Sequence, residues 1–364
     1  MERMGGGEPS RAVRAVRRPF PPECFSRPAS AQPGCGPMRW GGWFTPPASP
    51  RVLLFHRVAD LPSDPCRLAV PPRRFRAQLE ALAAGHDFVA SDVRAARRRG
   101  RRPRLAITFD DGFADNLDHA LPILESLGIP ATFFITSGAV GSGREFWWTE
   151  LERLLLQPAR LPDRLVVDGP VSEDHDLRGD PGVPWGGHPE WTLDQTPPGA
   201  RHALFAALAT RLHAAPVGER EALLQALRRA LGEGEAGRPD HLPLTREALG
   251  RLAASPCAAV GAHTQTHPRL AGLPVEEQEA EIAGSKSAIE SMVGRSVMLF
   301  AYPYGSQTDY DENSCRAVQR AGFTHAFGNH GSLPAGGLDP FRIPRLCVLD
   351  WDPAELLARL AKFA

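Results

Sequence analysis

The chain has 364 residues, and its 42 basic and 42 acidic side chains leave no formal net charge and a pI near 7.2. This balance excludes proteins that bind nucleic acid by bulk electrostatic attraction. No apolar run reaches the roughly 18 residues of a membrane span, so no transmembrane segment is predicted. The six cysteines form no CxxC pair, which argues against a zinc ribbon or a disulfide framework.

Residues 1–50 carry seven arginines against three glutamates and are rich in Pro and Gly, which predicts a disordered extension. Prolines at 19, 21 and 22 stand where the apolar core of a secretory signal should lie. We therefore expect a cytoplasmic protein, with export open if the true start lies downstream. The extension and an arginine run at 94–104 could contact an anionic surface weakly, although solvated segments are the simpler interpretation.

Strand-like and helix-like patterns alternate from residue 51 onward. Apolar runs typical of strands occupy residues 51–56, 104–109, 131–136, 257–262, 297–302, 323–327 and 343–348. Helical patterns occupy residues 73–84, 116–127, 276–293, 312–321 and 353–363. This alternation predicts an α/β protein with a parallel sheet, and about seven repeats favour a barrel over an open sheet.

Residues 146–250 interrupt the alternation. They contain a Pro/Gly-rich stretch, and helices are predicted near 148–157, 199–214, 218–231 and 245–254. We interpret this region as a mostly helical insertion in one domain that spans residues 51–364. It would cover one side of the barrel mouth, either as a lid or as a packing element.

The segment Thr108-Phe109-Asp110-Asp111-Gly112 ends an apolar strand in two carboxylates and a glycine. Side chains of a strand alternate between its faces, so both aspartates can serve one site only if the chain turns there. Gly112 permits that turn. Buried carboxylates are costly without a compensating cation, so the pair indicates a metal site.

The segment His263-Thr264-Gln265-Thr266-His267 follows a second apolar strand. If this segment is a helical turn, a spacing of four places both imidazoles on one face. The threonine hydroxyls could then accept hydrogen bonds from the ligands. Two imidazoles and one carboxylate form the three-ligand arrangement of catalytic Zn²⁺ sites, and the same set also binds Co²⁺, Ni²⁺ or Fe²⁺.

Taken in order, the motifs TFDDG, HTQTH and Tyr302-Pro303-Tyr304-Gly305 resemble the polysaccharide deacetylase family, also called the NodB homology or carbohydrate esterase 4 group. The resemblance covers residues 51–364 apart from the insertion. It implies a distorted (β/α) barrel with seven strands. The implied activity is metal-dependent removal of acetyl groups from sugars, most often N-acetylglucosamine.

By position, the resemblance implies that Asp111, His263 and His267 bind the metal. It implies that Asp110 is the general base that takes a proton from the attacking water. The backbone N–H of Tyr304 would lie in the oxyanion hole.

The chain departs from the family pattern at two positions. An arginine that often opens the third motif is replaced by Ala301, and we predict that Arg345 takes over its role of orienting Asp110. The C-terminal Leu-x-His motif of many members is absent. Leu54-Phe55-His56 instead resembles the branch that deacetylates exopolysaccharides such as poly-N-acetylglucosamine, which implies that His56 is the general acid.

Aromatic and loop residues near these motifs are candidates for substrate contact. Core packing and helix capping are the competing interpretations for the tryptophans. The predicted contacts are Tyr302, Pro303, Tyr304, Trp148 and Trp351.

We therefore predict a metal-dependent N-deacetylase that acts on an acetylated amino sugar in an exopolysaccharide or cell-envelope glycan. Its partners would be that glycan or an oligosaccharide, and not nucleic acid. Two alternatives stay open: an amidase or cyclic-imide hydrolase on the same scaffold, and a non-catalytic glycan-binding relative.

Overall fold

The structure is a computed structural model that describes residues 51–90, 102–169, 172–330 and 339–363. The extension 1–50 and most of the arginine run lie outside these ranges, so their predicted disorder and surface contacts stay predictions. In the described part of the chain, no helix combines the length and the apolar character needed to cross a membrane.

The described strands form one large sheet and one small hairpin. In chain order they are β1 (Arg51–Phe55), β2 (Asp87–Phe88), β3 (Arg104–Phe109), β4 (Ala131–Ile135), β5 (Arg164–Asp168), β6 (Ser172–Asp176), β7 (Ala258–Ala262), β8 (Leu299–Ala301), β9 (His325–Phe327) and β10 (Leu346–Cys347). The large sheet has the order β10-β1-β3-β4-β7-β8-β9, with β2 beside β3, and all its pairings are parallel.

The two edges of this sheet approach each other through the segment before β10. Ile343 forms a parallel bridge to Phe327 of β9, and Leu346 pairs with Leu53 of β1. The sheet is therefore curled into the distorted barrel that the sequence predicts. All seven predicted strands are confirmed, with ends up to three residues shorter.

Helices cover the sheet and form the insertion. They are α1 (Pro72–Ala83), α2 (Leu121–Leu127), α3 (Trp147–Leu155), α4 (Ala200–Ala214), α5 (Val217–Leu231), α6 (Arg246–Ala254), α7 (Val275–Val293), α8 (Glu312–Arg320) and α9 (Pro353–Lys362). The α9 start follows from its sequence: Asp352 Oδ1 accepts a hydrogen bond from the N–H of Glu355 at 2.8 Å, and Pro353 fits the first turn.

A row of phenylalanines fixes the register of three neighbouring strands. Phe55 pairs with Phe109, and Phe109 pairs with Phe133. Their rings stack with centroid distances of 5.6 and 4.8 Å. Because these buried rings keep the three strands in register, the residues that follow them lie together at one edge of the sheet.

The insertion has a hydrophobic core of its own, formed by α3, α4, α5 and the β5–β6 hairpin. Helix α6 instead packs into the barrel core through residues such as Leu249 and Leu252. The sequence did not predict the hairpin, because β6 consists of polar residues and lacks an apolar alternation. The domain boundaries themselves stay a prediction.

Candidate metal-dependent active site

The site forms where the predicted motifs leave the sheet at the carboxyl ends of its strands. The N–H of Asp110 donates to the carbonyl of Phe55 at 3.0 Å, so Asp110 lies beside the end of β1. His263 follows β7, and its N–H donates to the carbonyl of Ile135 at 3.0 Å. Parallel pairing therefore gathers motifs that are far apart in sequence, as in barrels generally.

A sharp turn after β3 brings both aspartates to one cavity. Asp111 and Gly112 have φ angles of 73° and 88°, the left-handed region that favours glycine. A Cβ on Gly112 would lie 3.0 Å from Cδ1 of Ile135. The turn predicted from Gly112 is confirmed, and both Asp110 and Asp111 line the same cavity.

Asp111, His263 and His267 form a compact set of metal-ligating groups. Their ligand atoms all lie within 4.8 Å of one another, and all three side chains are buried. Asp111 Oδ1 is 3.5 Å from His263 Nε2 and 3.3 Å from His267 Nε2. This donor set matches a catalytic site for a divalent ion with room for further ligands.

The hydrogen bonding of His263 also supports metal binding at its Nε2. Its Nδ1 lies 2.8 Å from the carbonyl oxygen of Ala301, which can only accept, so Nδ1 carries the proton. The Nε2 lone pair therefore faces the Asp111 carboxylate, and a cation between them satisfies both. Burial lowers the pKa of His263, but Asp110 and Asp111 outweigh it and raise that pKa overall.

The backbone of the His263–His267 segment differs from the expected helical turn. It is a loop in which Thr264 and His267 have φ angles of 61° and 56°. The N–H of His267 donates to Thr264 Oγ1 at 3.1 Å, and Thr266 Oγ1 donates to Glu281 at 2.6 Å. The expected helical turn is thus wrong. The predicted acceptor role holds for Thr264, which accepts from the backbone of His267, but not for Thr266, whose hydroxyl donates to Glu281 of α7.

Asp110 lies next to the ligand set and is bound by Arg345. Nη1 and Nη2 of Arg345 each lie 2.7 Å from a different Asp110 oxygen. Burial raises the pKa of Asp110, but Arg345, His263 and His56 together outweigh it and hold that pKa below its usual value. The Asp110 carboxylate is therefore ionised and is 3.8 Å from His263 Nε2.

His56 lines the same cavity as the two aspartates. Its carbonyl accepts a hydrogen bond from Asn116 Nδ2 at 2.8 Å. Arg57 and Asp115 form a buried ion pair at 2.9 Å directly behind it. Sequence reasoning missed these three supporting residues, and the Asp115-Asn116 pair shortly after Gly112 was the available signal.

Aromatic rings close one side of the cavity. Tyr304 and Trp148 pack against the His267 ring at centroid distances of 4.7 and 5.0 Å. Trp147 Nε1 donates to the Tyr304 hydroxyl at 3.0 Å. Tyr304 has a φ of 60°, and the next residue is Gly305, where a Cβ would approach the Asn329 backbone nitrogen to 2.7 Å.

The cavity has a volume of about 50 Å³ and is open to solvent. Much of its remaining wall is apolar. Beyond the predicted site residues, the lining residues are Leu54, Cys66, Arg67, Leu68, Asn329, Cys347 and Leu349.

Three predicted substrate contacts do not line this cavity. Tyr302 is buried, stacks on Tyr310 at 3.9 Å and donates its hydroxyl to the Phe341 carbonyl at 3.0 Å. Trp351 lies in the barrel core. Pro303 shapes the loop instead, since its carbonyl accepts the N–H of Gly305. In this structure each of these residues serves packing or loop geometry, and their substrate roles stay predictions.

Comparison with known proteins identifies the family. The sequence model described as "Polysaccharide deacetylase" matches residues 97–161 and 206–326, just over half of the chain. The chain belongs to the polysaccharide deacetylase family. A relative that is named as a polysaccharide deacetylase, YxkH of Bacillus subtilis (strain 168), is 29% identical over 103 residues. That alignment covers 26% of this chain and spans about a third (34%) of the length of this curated relative.

Solved structures of deacetylases share the fold. The Streptococcus pyogenes deacetylase PplD, in complex with acetate, superposes with a TM-score of 0.52 at 14% identity, covering 86% of this chain and 99% of that one. IcaB from Ammonifex degensii also gives a TM-score of 0.52, at 19% identity, with 86% and 96% covered. At these identities the likeness confirms the distorted (β/α) barrel expected for this polysaccharide deacetylase family member.

Proposed function

We propose that the protein is a metal-dependent deacetylase that hydrolyses the N-acetyl group of an amino sugar in an exopolysaccharide or cell-envelope glycan, releasing acetate. The observation that carries this proposal is the arrangement of a three-ligand set beside Asp110, a separate carboxylate bound by Arg345. A site that only held a metal would not need the second carboxylate.

The metal would be held by Asp111, His263 and His267. A divalent ion bound there, Zn²⁺ in our proposal and with Co²⁺, Ni²⁺ or Fe²⁺ as alternatives, supplies a Lewis acid for the acetyl carbonyl and lowers the pKa of a water molecule. The buried, closely spaced ligand atoms support this assignment.

Asp110 would act as the general base. Because Arg345 binds both of its oxygens, the Asp110 carboxylate is ionised and fixed in orientation. It can therefore accept a proton from water within the cavity.

His56 would act as the general acid toward the leaving amine. Burial lowers the pKa of His56, although Asp111 and Asp110 oppose that effect, so the imidazole is neutral at pH 7 in the free protein. His56 must then gain the proton that Asp110 has taken up before it can donate to the amine.

Tyr304 and Trp148 would bind the substrate. Tyr304 has a left-handed backbone conformation that shapes its loop, and we assign the backbone N–H of Tyr304 to the oxyanion hole. The two aromatic side chains beside His267 offer faces on which a sugar ring can pack. Family membership and the fold shared with PplD and IcaB support an acetylated glycan as the substrate class.

The test is acetate release by the Zn²⁺-loaded protein from N-acetylglucosamine oligomers and peptidoglycan fragments. Asp110→Asn should abolish release while retaining the metal. The matched control is Asp118→Asn, since Asp118 is exposed in the helical turn Asn116–Ala120 that precedes α2.

The outcomes separate the proposal from its rivals. Release that is lost only in Asp110→Asn supports the deacetylase. Hydrolysis of cyclic imides or simple amides without activity on sugars would favour the amidase alternative. Glycan binding without hydrolysis of any of these compounds would favour a non-catalytic relative.

A further inference from the structure

Arg220 is a buried cation in the insertion that contacts the active site from behind. It lies in the first turn of α5 and is 3% exposed. Among the described residues, no carboxylate forms an ion pair with it, and its Nη2 has no hydrogen-bond partner. Arg228, eight residues later on the same helix, is also buried but pairs with Glu150. A buried arginine without a carboxylate is costly, so its position requires another explanation.

The contacts of Arg220 converge on the proposed site. Nη1 donates to the carbonyl of His267 at 3.2 Å, and Nε donates to the carbonyl of Leu212 at 3.2 Å. The guanidinium also lies 5.5 Å from the ring centroid of Trp147, whose Nε1 donates to the Tyr304 hydroxyl. One side chain of the insertion therefore contacts both the His267 backbone and the aromatic residue that supports Tyr304.

His267 needs such support more than His263 does. His263 is oriented through its Nδ1 by the Ala301 carbonyl, whereas the Nδ1 of His267 has no hydrogen-bond partner among the described residues. Tyr304 and Trp148 pack against its ring, but the orientation of the ring also depends on the backbone that carries it. That backbone has a φ of 56°, a left-handed conformation that is unfavourable for a non-glycine residue.

The strained peptide groups of His267 are held on both sides. Its N–H donates to Thr264 Oγ1, and its carbonyl accepts from Arg220. Thr264 belongs to the same loop, so Arg220 is the restraint that comes from outside it.

We propose that Arg220 is a positioning residue through which the insertion orients His267 for metal binding. This inference rests on the proposed function, in which His267 is a metal ligand. It also assigns the insertion a role that is neither a lid nor packing alone: α5 supplies an outer support of the metal site.

A competing explanation is that Arg220 only joins α4 to α5 through the Leu212 carbonyl near the end of α4. Zn²⁺ affinity distinguishes the two explanations, because a helix-joining contact affects folding but not the orientation of a ligand.

The experiment measures Zn²⁺ affinity by competition with a chromophoric chelator, together with thermal unfolding of the metal-free protein. It compares the wild type with Arg220→Met and with the matched control Arg228→Met. We expect Zn²⁺ binding to weaken roughly ten- to hundred-fold in Arg220→Met, the usual effect of losing a group that orients a ligand. In Arg228→Met we expect a lower melting temperature and unchanged Zn²⁺ affinity.

Arg220→Lys provides a second variant should Arg220→Met fail to fold. A lysine keeps the charge but lacks the planar guanidinium that reaches the Leu212 and His267 carbonyls through two separate nitrogens, so we expect Zn²⁺ affinity to fall several-fold. Wild-type Zn²⁺ affinity in a folded Arg220→Met or Arg220→Lys protein would overturn the inference. An equal loss of affinity in Arg228→Met would also overturn it, because general loosening of the insertion would then suffice.

The wild type separates this inference from the function on which it rests. A wild-type protein that binds none of Zn²⁺, Co²⁺, Ni²⁺ and Fe²⁺ refutes the proposed metal site itself. If the wild type binds Zn²⁺ and releases acetate, and the Arg220 variants bind Zn²⁺ as tightly as the wild type, only the role of Arg220 is refuted.

Discussion

Arg345 and Asp110, 235 residues apart in the chain, form a buried ion pair with two parallel hydrogen bonds of 2.7 Å. Nε of the guanidinium also donates to the Gly328 carbonyl at 3.0 Å, and Nη1, which binds Asp110, lies 3.4 Å from Thr108 Oγ1. Three strands thereby fix one carboxylate. This geometry supports the prediction that Arg345 serves in place of the arginine absent at Ala301.

Arg345→Ala should lower kcat about a hundred-fold and leave the Zn²⁺ content unchanged, since Asp110 is not a proposed ligand. The loss leaves a buried carboxylate unpaired, so the free energy of unfolding should fall by about 3–5 kcal/mol. Steady-state acetate release and metal analysis of the folded fraction test this. Arg342→Ala, at a half-exposed arginine nearby, should keep wild-type kcat. Normal turnover in Arg345→Ala would dismiss the role.

His56→Gln should reduce kcat by about 10²–10⁴-fold, the usual contribution of a general acid, with the metal retained. Activity and bound Zn²⁺ are measured on the same preparation. His188→Gln changes an exposed histidine and should have no effect on either quantity. Near-normal deacetylation by His56→Gln would leave His56 with a structural role only.

Removal of the metal should abolish acetate release and lower the melting temperature, because Asp111 and both histidines are then buried without a cation. At a hundred-fold excess of free Zn²⁺ over its Kd, the stabilisation is about 2.7 kcal/mol. Calorimetry with and without a chelator measures it. The Asp111→Asn variant should have the same melting temperature with and without the chelator. Full activity after exhaustive chelation would refute metal dependence.

Acid should destabilise the protein partly through His213 on α4. Burial, with Arg269 and Arg220 nearby, lowers the pKa of His213 from 6.5 to about 3. Asp309 Oδ1 lies 3.8 Å away, too far for a strong hydrogen bond that would favour the charged imidazole. Between pH 6.5 and 3 the unfolded chain binds a proton that the folded chain does not, so stability falls as the pH falls.

His213→Phe removes this titration and keeps a ring against Tyr304. The loss of unfolding free energy between pH 6.5 and pH 4 should shrink by about 3 kcal/mol relative to the wild type. Urea denaturation at several pH values measures it, with His119→Phe as the control at an exposed site. Parallel pH curves for His213→Phe and the wild type would contradict the assignment.

Several features were predictable because their signals are local. Short apolar runs mark the strands, and Asp110-Asp111-Gly112 directly follows one of them. In a parallel sheet such strand ends meet at one edge, so the gathering of the carboxylates and histidines followed from the pattern alone.

Other features depend on contacts between distant segments. The backbone of His267 is set by Thr264 and by Arg220 from the insertion, and it is not helical. Tyr302 and Trp351 resemble substrate contacts in sequence but lie in the core.

The sequence by itself predicted the barrel, because hydrophobic periodicity is visible in short segments. Polar residues at strand ends indicated a metal site, and the resemblance to the family implied which residues are the proposed ligands and the proposed base. The tertiary structure alone decided that Arg345 binds Asp110, that Ala301 orients His263 and that Arg220 contacts His267. The physical reason is that each of these is a single buried hydrogen bond or ion pair between segments far apart in the chain. Such contacts leave no periodic trace in the sequence.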